Sequence, residues 1–156
     1  MSIVYLNGDF MPIEDAKISP LDRGFLFGDG IYEVIPSYGG KMVGFGPHID
    51  RMINGLKEIE IQLNWEHQQW QNLCDALVER NGGGNLGIYL HVSRGADTKR
   101  FHAYPDDIEP TVFAMAFSIP EPAAADRNSV KGYSLTSTQD LRWQRCNIKS
   151  TALLGN

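Results

Sequence analysis

The chain is poor in cysteine. Only Cys74 and Cys146 occur in its 156 residues, far apart and without CxxC spacing. That excludes a disulfide framework and argues against a zinc site, which needs clustered thiolates or imidazoles. Long hydrophobic runs are missing as well. No stretch approaches the roughly 20 apolar residues a membrane-spanning helix requires. Basic charge is in deficit, since 14 Lys and Arg against 19 Asp and Glu leave a net charge of −5. Such a surface repels polyanions, so neither nucleic acid nor a membrane is an expected partner. Like charges do not run in blocks, no segment repeats, and no low-complexity tract interrupts the chain. The opening MSIVYLNGDF has no basic lead-in and too short an apolar run for a signal peptide. A reduced, cytoplasmic protein is expected.

What is present suffices for one packed core, at 42% hydrophobic and 10% aromatic residues. IVYLNGDFMPI reads as two strands joined by an Asn7-Gly8 turn. SPLDRGFLFGDG is rich in turn residues. The run from Ile31, IYEVIPSY, reads as a strand ending at Gly39-Gly40, with KMVGF returning as its hairpin partner. Pro47 suits a first helical turn, and Ile49, Met52, Ile53, Leu56 and Ile59 then keep a helical period. Asn64 is the expected N-cap of a second helix, whose apolar stripe is Trp70, Leu73, Cys74, Leu77 and Val78 and which ends at NGGGN. LGIYLHVSR and TVFAMAFSI read as strands flanking the sixteen-residue loop GADTKRFHAYPDDIEP. Structureless loops of that length tend to be functional or mobile. PEPAAADRNSV reads as a linker and YSLTSTQDLRW as a fresh strand. The expected division is an N-terminal α/β domain over 1–120, a linker over 121–132, and the start of a second domain over 133–156. The roughly 25 residues of that last part are too few for a core of their own.

Several side chains carry chemical potential. Lys149 lies among Ile148, Ala152, Leu153 and Leu154. Desolvation favours a neutral amine, and a neutral amine attacks a carbonyl to form a Schiff base. The ordinary alternative is a surface lysine whose stem covers apolar surface. Arg142 and Arg145 could add repulsion there, or simply be solvated. Arg100 and His102, two apart in TKRFHAY, point the same way in an extended segment and could hold a carboxylate; a solvated loop is the bland reading. Arg94 competes with Arg100 for that role. Arg51, in GPHIDRM with His48 one turn earlier, lies off the apolar stripe, either solvated or binding phosphate. Tyr32 alternates with Ile31 and Glu33 and is a half-buried strand aromatic or a ligand contact. GDG matches neither a dinucleotide nor a phosphate-loop motif. Cys74 belongs to a helix core face, and Cys146 has no base beside it.

Taken in order, DRGFLFGDGIYEVI, HIDRM, the loop with RFH, and DLRWQRCNIKSTALLGN resemble the fold-type IV, pyridoxal-phosphate-dependent aminotransferases along essentially the whole chain. The Arg-x-His pair points to the D-amino-acid branch of that family. The resemblance implies an α+β fold: a two-layer sandwich forming the N-terminal domain, then the first strand and lysine segment of a second domain. It implies pyridoxal 5′-phosphate as cofactor and exchange of an amino group between a D-amino acid, such as D-alanine, and a 2-oxo acid. Lys149 would bind the cofactor as a Schiff base and then move the proton between the substrate Cα and the cofactor C4′. Arg51 would bind the cofactor phosphate. Tyr32, Arg100 and His102 would form the trap for the substrate α-carboxylate, the last two lent across a homodimer interface. Family members continue for roughly another domain after the lysine, including an acidic partner for the pyridine nitrogen. The resemblance therefore implies a chain cut shortly after Lys149 and incomplete as an enzyme. The alternatives are a branched-chain L-amino-acid transaminase or an aminodeoxychorismate lyase, both disfavoured by Arg100 and His102, or a non-catalytic half-domain module. A cofactor-free Schiff-base lyase has little support, since no barrel-like alternation surrounds the lysine.

Overall fold

A computed structural model describes residues 2–140 and 144–155. β1 (Ile3–Leu6) and β2 (Asp9–Pro12) form the expected hairpin. Its turn puts Asn7 and Gly8 at positive φ, 48° and 110°, which these two residue types tolerate. The turn-rich stretch that follows contains α1 (Arg23–Phe27), a single helical turn. It is capped by the Asp22 carboxylate, which accepts from the Gly24 N–H at 2.8 Å. β3 (Gly30–Tyr38) and β4 (Lys41–Met42) come next, followed by α2 (Phe45–Glu58) and α3 (His67–Arg80). β5 (Leu86–Ser93) and β6 (Thr111–Ser118) complete the sheet.

Three sequence expectations are corrected. KMVGF pairs with β3 only through Lys41, Met42 and the Val43 N–H, which donates to the Pro36 carbonyl at 2.8 Å, because Gly44 turns to φ 66° and α2 already begins at Phe45. The N-cap of α3 is Glu66 rather than Asn64. Gln69 reaches back to accept from the Glu66 N–H at 3.1 Å, which satisfies a backbone donor that Asn64 is too early to serve. No strand forms over 133–140. Tyr133 and Leu135 are 78% and 93% exposed there, with no neighbouring strand to pair with. The rest of that expected strand, Leu141, Arg142 and Trp143, lies outside the described residues.

The six strands pair antiparallel in the order β2-β1-β6-β5-β3-β4. Alternation decides which side chains meet the helices. Ile31 and Ile35, Ile88, Leu90 and Val92, and Val112 and Ala114 pack with Ile49, Met52 and Leu56 of α2 and Leu73 and Leu77 of α3 in one core. The result is the expected α+β architecture with a helical layer on one face of the sheet. Gly55 lets α2 come close to β3, since a Cβ there would sit 3.3 Å from Ile31. Tyr32, Val34, Tyr89, His91 and Phe113 occupy the alternate positions and are only partly buried. One strand thus sends Tyr32 to the open face and its neighbour Glu33 to the helix face.

Trp70 is fully buried and meets Trp65 edge-on at 4.8 Å between ring centroids. Its indole Nε1 has no hydrogen-bond partner among the described residues. Trp70→Ala should therefore cost about 3–5 kcal/mol in urea unfolding. Trp70→Phe should cost less, because it forfeits volume but no hydrogen bond. A Trp70→Ala midpoint close to the parent's would contradict this core.

Candidate active site

The lysine segment docks on the sheet rather than standing apart from it. Lys149 to Thr151 run antiparallel to the start of β3, along the edge that β5 does not use. The Tyr32 N–H donates to the Lys149 carbonyl at 3.0 Å, and the Thr151 N–H donates to the Gly30 carbonyl at 2.9 Å. The Thr151 hydroxyl adds a bond to the Gly28 carbonyl at 2.9 Å. Ile148, on one side of the lysine, is buried in the core. Arg145 pairs with Glu58 at the end of α2, so it is an anchor rather than a free charge beside the lysine. These contacts set the Lys149 Nζ 4.3 Å from the centre of the Tyr32 ring. No hydrogen bond or ion pair occupies that amine among the described residues.

Glu33, the next residue of β3, is fully buried. A buried carboxylate needs partners, and α2 supplies two at i, i+3 spacing. His48 Nδ1 lies 2.7 Å from Glu33 Oε2. Arg51 donates through Nη2 to Oε2 at 2.8 Å and through Nε to Oε1. The hydrogen bond to Glu33, reinforced by its charge, raises the Arg51 pKa against the opposing effect of partial burial. The Arg51 side chain is still 47% exposed, and its Nη1 has no partner among the described residues. The guanidinium is held by one edge and offers the other, an arrangement suited to an oxyanion.

Arg51 and Lys149 therefore attach to adjacent residues of one strand. Arg100 and His102 do not join them within a single chain. Both lie against Phe27, the Arg100 guanidinium 5.1 Å from its ring centre and the His102 ring edge-on at 5.5 Å. Arg94 is no competitor for their role. It is buried and spent, donating to Asp29 at 2.7 and 3.1 Å and to the carbonyls of Ile59 and Glu60 at 2.6 and 3.2 Å. The loop neck is closed by Gly95, at φ +108°, where a Cβ would run into the Glu109 carbonyl.

Sequence reading passed over Glu33, Arg23 and Asp29. A signal for Glu33 existed: it shares the inward parity of Ile31 and Ile35, and a charge at such a position demands a partner. Nothing local marks Arg23 and Asp29. On the open face Tyr32 stacks with Tyr89 at 5.9 Å, and the Tyr89 hydroxyl and His91 Nδ1 share a 3.0 Å hydrogen bond. Burial lowers the His91 pKa. Burial pushes the Cys74 thiol up to about 12, which agrees with a packing role.

The fold and these groups define a two-layer α+β domain in which the Lys149 amine and the clamped Arg51 guanidinium are held against neighbouring residues of one strand, Tyr32 and Glu33. The chain belongs to the amino-transferase class IV family, whose profile matches residues 30–156. The D-alanine aminotransferase of Staphylococcus epidermidis is 40% identical over 157 residues, which cover 100% of this chain and 54% of that protein. The D-alanine aminotransferase of Listeria monocytogenes is 36% identical over 155 residues, 98% of this chain and 53% of that one. The chain thus spans about half the length of the curated relatives it matches. Among solved structures, the branched-chain amino acid aminotransferase of Escherichia coli superposes with a TM-score of 0.70 at 18% identity, covering 79% of this chain and 41% of that one. The branched-chain enzyme of Thermoproteus uzoniensis with norvaline gives 0.67 at 20% identity, covering 78% and 42%. At these identities the likeness is one of fold.

Removing Arg51 leaves the buried Glu33 carboxylate with only His48 of its two side-chain partners. Arg51→Met should destabilise the protein by about 2–4 kcal/mol. Adding Glu33→Leu should recover most of that loss in denaturant titrations; no recovery would contradict the clamp. His91 gives a pH prediction. Its folded pKa is depressed below the ordinary imidazole value of about 6.5. The unfolded chain therefore takes up more protons as pH falls below that value. The stabilising contribution is complete above it and is lost as pH falls toward the folded pKa. His91→Gln should flatten that acid-side fall in Tm, and curves of equal slope would contradict it.

Proposed function

We propose that this chain supplies the amine, the phosphate-binding group and the carboxylate-binding groups of a pyridoxal-phosphate-dependent aminotransferase, which moves an amino group between a D-amino acid, such as D-alanine, and a 2-oxo acid. The observation that carries this reading is the Lys149 amine: without a hydrogen bond or ion pair among the described residues, held over Tyr32, and fixed through the residue's own carbonyl to the Tyr32 N–H at 3.0 Å.

The residues present fit the cofactor chemically. An unpaired amine suits its aldehyde, and the outward edge of Arg51 suits its phosphate. When bound, the cofactor supplies the electron sink that stabilises negative charge at the substrate Cα. Lys149 would hold it covalently and then carry the proton to and from that carbon through Nζ. Glu33 and His48 would keep Arg51 oriented on the phosphate. Tyr32, Arg100 and His102 would bind the substrate α-carboxylate, fixing which face of Cα meets Lys149. Within one chain Arg100 and His102 make no contact with Tyr32, which suits reciprocal donation between two copies in a homodimer.

The D-amino-acid assignment draws its support from relatives 36–40% identical along nearly the whole chain, all named D-alanine aminotransferase, and from the Arg100 and His102 pair. In this reading residues 1–120 are the first domain, 121–132 the link and 133–156 the beginning of the cofactor domain. The site would work in the cytoplasm. No helix among the described residues is long and apolar enough to cross a membrane.

Added pyridoxal 5′-phosphate should produce a visible absorption band in the intact protein. Borohydride should then fix the cofactor on Lys149, as read by peptide mass spectrometry, and Lys149→Ala should abolish both. Amino-group exchange should favour D-alanine over L-leucine and aminodeoxychorismate. Label on another side chain would overturn the lysine assignment, and an L-leucine preference would overturn the D-specific one.

A further inference from the structure

The DRGFLFGDG stretch forms the helical turn between the first hairpin and β3. Its contacts give it a task. Arg23 is 3% exposed and spends its guanidinium on one loop and one carboxylate. Nε donates to Asp29 at 2.9 Å. Nη1 donates to the carbonyls of Phe101 and Ala103 at 2.7 and 3.3 Å, and Nη2 donates to the carbonyl of His102 at 3.2 Å. Three successive backbone carbonyls thus converge on one buried cation. A planar, five-donor fork can gather them; an ammonium cannot reproduce that spread.

Phe27 sits one helical turn after Arg23 on the same short helix. Its ring is approached by Arg23 at 4.9 Å, by Arg100 at 5.1 Å and by the edge of His102 at 5.5 Å. Tyr104, just past the gathered carbonyls, lies under the Arg94 guanidinium at 3.7 Å and beside that of Arg23 at 5.6 Å. Asp29 joins Arg23 to Arg94, so the two cations share one carboxylate. The backbone of the loop is pinned from below by Arg23, while the two side chains assigned to carboxylate binding rest on Phe27.

We propose that α1 is the seat of the substrate-recognition loop, with Arg23 and Phe27 as positioning residues that set where Arg100 and His102 present their charge. This rests on the reading that Arg100 and His102 bind the substrate α-carboxylate. Neither Arg23 nor Phe27 need touch the substrate or the cofactor. Their effect falls on how well the trap is preorganised, and so on binding of the acid rather than on the proton transfer at Lys149.

The test uses the intact, cofactor-loaded protein with Arg23→Lys and Phe27→Leu. Each should raise KM for both the amino acid and the 2-oxo acid about tenfold while kcat stays within about threefold. The inhibition constant of a simple monocarboxylate such as propionate should rise in parallel, and affinity for pyridoxal 5′-phosphate should not change. A readout independent of activity is trypsin cleavage after Lys99 and Arg100, which should quicken in both variants as the loop loosens. In an Arg100→Ala, His102→Ala background, Arg23→Lys should add no further rise in KM, because the groups it positions are gone. If Arg23→Lys does not fold, Phe27→Leu carries the test through the same readings. Unchanged KM and unchanged cleavage in a folded variant would overturn the seat, as would loss of kcat together with cofactor affinity. If Arg100→Ala, His102→Ala itself keeps the parent KM, the underlying trap assignment falls. A raised KM in that control with no change in the seat variants removes only the present inference.

Discussion

The structure depends on one pairing, that of the Lys149 segment with the start of β3 on the edge opposite β5. Two backbone hydrogen bonds, Tyr32 to Lys149 and Thr151 to Gly30, tie residues more than a hundred positions apart. β3 is paired with β5 along its other edge and packed by α2 on one face. A segment joined to so constrained a strand inherits its position. The amine then has a defined place over the Tyr32 ring, with no hydrogen bond or ion pair of its own among the described residues. The Lys149 backbone is fixed while its nitrogen is left without a hydrogen-bond partner among the described residues.

The same strand explains why the Arg51 guanidinium and the Tyr32 ring lie where they do. Pleating sends Tyr32 and Glu33 to opposite faces although they are neighbours. Glu33 is buried where an isolated carboxylate would be costly, and it draws His48 and Arg51 toward it from α2. The close approach of α2 at Gly55 makes that reach short. Packing and site geometry are one constraint here, because the helix that completes the core also delivers the guanidinium.

Much of this was legible in the sequence, for identifiable reasons. Asn7-Gly8 announces its hairpin because few other pairs accept those dihedral angles. The stripe from Ile49 to Leu56 and that from Trp70 to Leu77 announce two helices through their 3.6-residue period. Lys149, Arg51, Tyr32, Arg100 and His102 came from a resemblance, since each has a bland reading on spacing alone. What stayed hidden depends on long-range pairing. Arg94 looked like a rival for substrate and is a buried strut, because Asp29 and two carbonyls from the end of α2 meet it in space. Arg23 gave no sign that it gathers carbonyls nearly 80 positions away. No strand forms over 133–140, because alternation alone makes no strand without a partner edge. The cap moved from Asn64 to Glu66 because a reciprocal side-chain bond outweighs a single favourable residue type.

The central claim is that the amine docked beside Tyr32 and the guanidinium clamped by Glu33 hold the two ends of one cofactor. Crystallographic density from the intact protein grown with pyridoxal 5′-phosphate tests it most directly. The predicted result is continuous density from Lys149 Nζ to the cofactor ring, with the phosphate within hydrogen-bonding distance of Arg51. Cofactor density that leaves Lys149 free, or that places the phosphate away from Arg51, would contradict it.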